Sequence, residues 1–344
     1  MRFSSRPFGI PLGVLGGLLA LATACKKDSD VGVSLPAEVN FTQAGLYPEG
    51  TQYDDQRGLF LVSSETAGRI GQVTDAGSYS LFADDPLLIS SVGLRLDAAR
   101  SRLLVAVSDP GYNTARTSAA TKGKLAALAI FNSSTGAKTG YVDLGAVTPA
   151  GDTTYPAHFA NDVAVDGAGN AYITDSFAPI IYRVDAQGTV TRFLENAALA
   201  APTGKFGLNG IVYHPGGYLL VAKSDEGALF KVPLSNPASF TKVTLPAALS
   251  LSGADGLQLP NRTTLLAVCN VQGKVYRLTT TDDFASVANA AGPAGAFGTG
   301  AVYPTTLARR ADSTSYVLHA YLSALQAGQT PPVADYKLQK VSFN

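Results

Sequence analysis

The chain has 344 residues and carries 26 Lys plus Arg against 26 Asp plus Glu. That balance leaves no overall field to hold nucleic acid or an anionic membrane, and two Cys exclude both a disulfide-stapled miniature and a Cys-rich zinc module. With 46% hydrophobic and 15% charged residues, 35 Gly and 19 Pro, this is a large, neutral, loop-rich globular chain.

In chain order, Arg2 and Arg6 form a basic start, Ile10 to Leu21 is an apolar run, and Ala22-Thr23-Ala24 precedes Cys25. Basic, apolar and small-residue segments in that order make a secretory signal. The run is shorter than the ~20 residues that cross a bilayer. Leu21-Ala22-Thr23-Ala24-Cys25 resembles the lipobox of bacterial lipoproteins, with Leu21 one place early and Ala22 where the leucine usually stands. The expectation is a signal peptide over residues 1–24, a lipid on Cys25 and a tether over residues 25–40 that begins Lys26-Lys27-Asp28. It places the protein on the outer membrane or cell surface of a Gram-negative bacterium, with the lipid as its one membrane contact. Cys269, inside Leu265-Leu266-Ala267-Val268-Cys269, is expected as a small buried hydrophobe without a disulfide.

Residues 41–344 form one domain built on a repeat. The clearest copies start at Asn161, Asn209 and Asp255, each an apolar strand, a Gly, Pro or Asn turn and a second apolar strand. Fainter copies start near Glu49, Val92 and Thr305. The intervals are 43, 69, 48, 46 and 50 residues, and four of the five suit the ~40–50-residue blades of propellers. The long interval holds Asp109 to Lys124, read as a loop inserted in the second repeat. The predicted fold is all-β: a six-bladed β-propeller of four-stranded antiparallel blades, in which radial repetition leaves few open edges. The alternating run Tyr336 to Phe343 should close the ring with an N-terminal strand.

In such a ring the residue that opens the same strand of each blade stands at one height about the axis. Those residues are Glu49, Val92, Asn161, Asn209, Asp255 and Thr305. Four offer carboxylate or carboxamide oxygen and none offers sulfur or imidazole. Hard oxygen donors suit Ca²⁺ or Mg²⁺, so one divalent cation is the expected cofactor, Ca²⁺ ahead of Mg²⁺, Mn²⁺ or Zn²⁺.

Pro48-Glu49-Gly50, Asn161-Asp162, Asn209-Gly210 and Asp255-Gly256 resemble the landmarks of the SMP-30/gluconolactonase/LRE-like family, in its order and spacing, over roughly Tyr47 to Leu278. Paraoxonases and strictosidine-synthase-like propellers share much of the pattern. The resemblance implies Glu49, Asn209 and Asp255 as metal ligands and Asn161 as a ligand or substrate contact. It also implies hydrolysis of a lactone or related ester by a monomer, with Asp255 and Asn161 as catalytic residues and Asp255 as the base. Members of the sugar-lactonase type carry Arg two residues before the first Asn. Phe159 stands there in this chain, which argues against a polyhydroxylated sugar substrate. Phe159 and His158 are the candidate pocket residues. The rival reading is a non-catalytic surface propeller that binds a sugar or a protein around a structural cation.

The remaining polar residues read as architecture. Asp162, Asp166, Asp175 and Asp225 are expected at turns or blade edges. His214 is expected exposed in a hairpin turn, and Lys223 to Glu226 in a solvated loop. No zinc helix, nucleophile elbow or nucleotide-binding glycine motif occurs.

Overall fold

The computed structural model describes residues 35–148, 153–292, 297 and 302–343. The signal segment, Cys25 and the tether as far as residue 34 lie outside the described residues.

Six four-stranded antiparallel sheets follow one another along the chain, as the repeat predicts. Their inner strands are Thr51–Asp54, Ser90–Asp97, Ala160–Val165, Leu208–His214, Ala254–Asn261 and Pro304–Arg309, which number blades one to six. The second strands, among them Leu59–Val62, Arg102–Ser108 and Tyr218–Lys223, are almost wholly buried. They read as continuous apolar runs because neighbouring blades cover both faces, leaving no solvent side to alternate toward. Rim strands such as Lys138–Asp143 are largely open and correspondingly polar.

The core therefore lies between blades. Phe60 and Val62 of blade one meet Tyr316 and Leu318 of blade six, and Leu61 and Ile70 meet Leu103 and Val105 of blade two. Leu104 meets Ile173, Ile181 meets Leu219, Leu220 meets Leu265, and Leu266 meets Val317. Every junction of the wheel is filled, last to first included.

Closure joins the two ends of the domain. Strand Glu38–Thr42 pairs antiparallel with Asp335–Lys340, with Val39 opposite Leu338 and Phe41 opposite Tyr336. Alternation buries Val39 and Phe41 and exposes their neighbours. The strand thus takes in Glu38 to Asn40, which the sequence assigns to the tether. The Asp109 to Lys124 insertion lies between the second strand of blade two and its third, Ala126–Asn132. Among the described residues the one α-helix is Leu322–Gln326.

Candidate functional site

In five blades the inner strand slips register against its neighbour at one dipeptide: Val92-Gly93, Asn161-Asp162, Asn209-Gly210, Asp255-Gly256 and Thr305-Thr306. In blade one the counterpart, Glu49-Gly50, immediately precedes the strand that starts at Thr51. A bulge frees a residue from the ladder and re-aims its side chain, and here it recurs at one position per blade. Glycine follows because the next blade leaves no room for a side chain. A Cβ on Gly50 would lie 2.3 Å from Val92 O, on Gly93 2.4 Å from Asn161 O, on Gly210 2.1 Å from Asp255 O and on Gly256 2.7 Å from Thr305 O. The remaining two junctions are hydrogen-bonded. Ile211 N donates to Asp162 Oδ2 at 3.2 Å, and Thr305 Oγ1 donates to Glu49 O at 2.7 Å. Contact runs from hub to hub around the whole ring.

Gly210→Ala is accordingly expected to destabilise the fold by ~1–3 kcal/mol through overpacking, because the obstacle is backbone. That outweighs the ~0.4–1 kcal/mol gained by stiffening the unfolded chain. Gly167→Ala is the control: nothing lies within 4 Å of the added Cβ, so only the small gain should remain. Chemical denaturation of the two variants beside the parent protein reads the difference.

The hub side chains are buried, from 0% exposure at Val92 and Thr305 to 6% at Glu49. Three of their oxygens, Asn161 Oδ1, Asn209 Oδ1 and Asp255 Oδ1, have no hydrogen-bond partner. Buried oxygens left bare are costly, and a layer behind them fixes this arrangement. Asn161 Nδ2 donates to Ser176 Oγ at 3.0 Å, while the Ser176 hydroxyl donates to Leu208 O at 2.6 Å. With that proton committed to a carbonyl, Ser176 receives the amide nitrogen and turns Oδ1 the other way. Ser224 does the same for Asn209, accepting from Nδ2 at 3.1 Å while donating to Ala254 O. Asn270 accepts from Val271 N on its oxygen at 2.6 Å, so its nitrogen faces Asp255 and donates to Oδ2 at 2.7 Å. Each of these partners stands 15 residues after its hub residue. That spacing is the signal in the sequence that could have revealed this layer.

Negative charge concentrates here. Burial, then the charges of Asp255, Asp162 and Glu65, hold the Glu49 carboxyl well above the usual carboxylate range. Burial pushes Asp255 and Glu65 up to about 8 and Asp162 to about 6. Glu65, absent from the sequence-derived set, is 4% exposed and shares the field of Asp255. Burial and the Glu65 charge raise the Tyr112 phenol, so the insertion contributes to the same neighbourhood. Among the described residues no three His, Cys, Asp or Glu side chains form a metal cluster. Two of the four oxygen donors of the ring are carboxamides.

Several expectations need correction. Asp162 is no turn or blade-edge residue: it lies half-buried within an inner strand beside the hub and accepts from Val163 N and Ile211 N. His214 is 1% exposed, ends an inner strand and stacks on Tyr218 with centroids 4.2 Å apart. Its Nε2 donates to Arg262 O at 2.8 Å while Nδ1 accepts from Gly216 N. Lys223 is 1% exposed and paired with Asp225 and Glu226, not solvated. Phe159 is 3% exposed and packs with Phe177 and Phe206 in the core between blades two and three. Asp166 does hold its turn, through Asn170, and Cys269 is a free, buried thiol. Asp175 is wholly buried and binds His158 Nδ1 at 2.6 Å.

The protein is a six-bladed β-propeller whose axis is ringed by oxygen donors. No protein-family model matches the sequence, and no curated protein does. Solved structures match it in fold. The major allergen Mala s 1 of Malassezia sympodialis is 21% identical over 90% of this chain and 97% of its own, with a TM-score of 0.72. Regucalcin, a calcium-binding protein of Agrobacterium tumefaciens, is 18% identical over 87% and 92%, with a TM-score of 0.56. A putative gluconolactonase is 14% identical over 90% and 95%, with a TM-score of 0.57. The architecture is thus one that proteins named for calcium binding and for lactone hydrolysis share.

Proposed function

We propose that the protein is a divalent-cation-dependent hydrolase of lactones or related esters, anchored as a lipoprotein through Cys25 and active as a monomer. The observation that carries the reading is the set of bare buried oxygens on Asn161, Asn209 and Asp255, each held outward by a partner behind it. Glu49, Asn161, Asn209 and Asp255 would hold the cation. Two carboxylates balance its charge, and all-oxygen donors favour Ca²⁺. Bound there, it would polarise an acyl carbonyl and stabilise the oxyanion that forms on attack by water. Burial of the hub strengthens every charge interaction within it.

The test is a panel of sugar lactones, aliphatic lactones and aryl esters, assayed with Ca²⁺, Mg²⁺, Mn²⁺ or Zn²⁺ against a chelated control. Turnover on aliphatic or aryl substrates that chelation abolishes is the expected result. Cation binding without turnover on any substrate would turn the reading to the non-catalytic surface propeller. Intact mass of the exported protein, with Cys25 as a diacylglyceryl-modified N-terminus, checks the anchor. The layer behind the hub gives a separate prediction: Ser224→Ala and Ser176→Ala should each weaken cation affinity ~10–100-fold, read by titration calorimetry.

A further inference from the structure

Hydrolysis at the hub needs a group that takes a proton from water, and the ring itself supplies none that is uncommitted. Asp255 is the base the sequence favours, yet Oδ2 already accepts from Asn270 and Oδ1 is one of the bare oxygens assigned to the cation. A carboxylate on a cation is a weak proton acceptor.

We infer that His158, oriented by Asp175, is the proton-transfer residue of this site, an assignment that rests on the hydrolase reading. Asp175 is 0% exposed and saturated with donors. Its Oδ1 accepts from Phe159 N, Phe177 N and Ala178 N at 2.9, 3.1 and 3.1 Å. Its Oδ2 receives Tyr182 OH at 3.3 Å and His158 Nδ1 at 2.6 Å. An oxygen pair that already accepts from three backbone N–H groups and a phenol is an acceptor-only carboxylate, so the proton between it and the imidazole sits at Nδ1. The lone pair is then left on Nε2, which has no partner among the described residues. His158 is partly exposed, whereas His214 and His319 are buried.

Position ties this dyad to the hub. His158 precedes Asn161 by three residues, at most ~11 Å of chain. The strand end that holds His158 is Asp175, and the next residue, Ser176, holds the Asn161 amide. One dipeptide thus fixes both the imidazole and a hub oxygen. From the other side, the insertion of blade two reaches over: Gly123 O accepts from His158 N at 3.0 Å. The charged and titratable groups about the ring are Asp175 and Tyr182, with Arg192 and Glu195 behind the phenol and Lys122 and Lys124 flanking Gly123.

The step balances without a further reactant. His158 Nε2 takes a proton from water as its oxygen bonds to the acyl carbon. The acyl C–O bond then breaks, and the same proton passes from Nε2 to the departing alkoxide, giving acid and alcohol. Nδ1 keeps its own proton throughout, hydrogen-bonded to Asp175, whose charge steadies the imidazolium between the two transfers.

His158→Gln is expected to lower kcat ~100–1000-fold, within the range of general acid–base catalysis, with KM and cation affinity unmoved and the melting curve unchanged. Asp175→Asn tests the positioning, because its amide donates to Nδ1 and drives the proton to Nε2. Nitrogen-15 spectra of the imidazoles should show His158 as the Nδ1–H tautomer in the parent and reversed in Asp175→Asn. An Nε2–H tautomer in the parent overturns the assignment whatever the activity. Turnover by His158→Gln within threefold of the parent overturns it alone, leaving the hydrolase reading standing. Absence of turnover by the parent on the whole panel removes both.

Discussion

Asp255→Asn is expected to abolish turnover and to weaken divalent-cation affinity by more than ~100-fold, beyond the loss that follows from disturbing a residue behind a ligand. The variant removes a full charge from a set that has two to offer a dication. It also replaces one oxygen with a nitrogen that has only donors. Asn270 Nδ2, now at 2.7 Å from Oδ2, would take the remaining carbonyl oxygen and force the new NH₂ toward the hub. There it would meet the cation with the wrong polarity. Melting temperature without cation should not fall, because the change removes a buried carboxyl whose ionisation is disfavoured. Calorimetric titration with Ca²⁺, beside thermal melts in chelator, separates this loss from unfolding. Retained affinity would take Asp255 out of the ligand set.

The second large effect concerns pH. Glu49, Glu65, Asp162 and Asp255 are all raised in the folded protein, the second and fourth to about 8 and the third to about 6. Between the unfolded values of 4.5 and 3.8 and these folded ones, the native state holds protons that the unfolded chain has released. Stability therefore falls as pH rises through that window. The contribution is whole below about pH 4 and lost by about pH 8. Without cation, the melting temperature should drop steadily from pH 5 to pH 8. A bound dication reverses the balance, since it favours the ionised forms and displaces their protons. Saturating Ca²⁺ should raise the melting temperature far more at pH 8 than at pH 5. Proton release should accompany the titration, visible as a dependence of calorimetric heat on the ionisation enthalpy of the buffer. A chelated protein most stable at pH 8 would contradict this account of the hub.

The ring was legible in the sequence because the blades repeat a short local code: a polar residue in all but blade two, a glycine that the next blade forces in all but blades three and six, and a hairpin. Asn161, Asn209 and Asp255 stand out for that reason, and Glu49 follows from its glycine. What escaped depends on contacts that no local pattern encodes. His214 sits beside a turn but is sealed by Arg262 O, 48 residues on. Asp162 occupies the glycine position of its blade, where Ile211 N, 49 residues on, takes its carboxylate. Lys223 is held below the surface by acids two and three residues away, a pairing that looks the same in sequence when it floats in water. Glu65 stands in the turn after Val62, on none of the positions that open an inner strand, and only the fold brings it under the charge of Asp255.

Sealing the wheel with Glu38–Thr42 against Asp335–Lys340 has a consequence for how the chain reaches its native state. The partners of that seam are separated by nearly the full length of the domain, so the latch cannot form until the carboxyl-terminal residues exist. Non-local pairing of this kind slows folding. In the interval blade six presents a bare strand edge, the sort of template on which two nascent molecules aggregate.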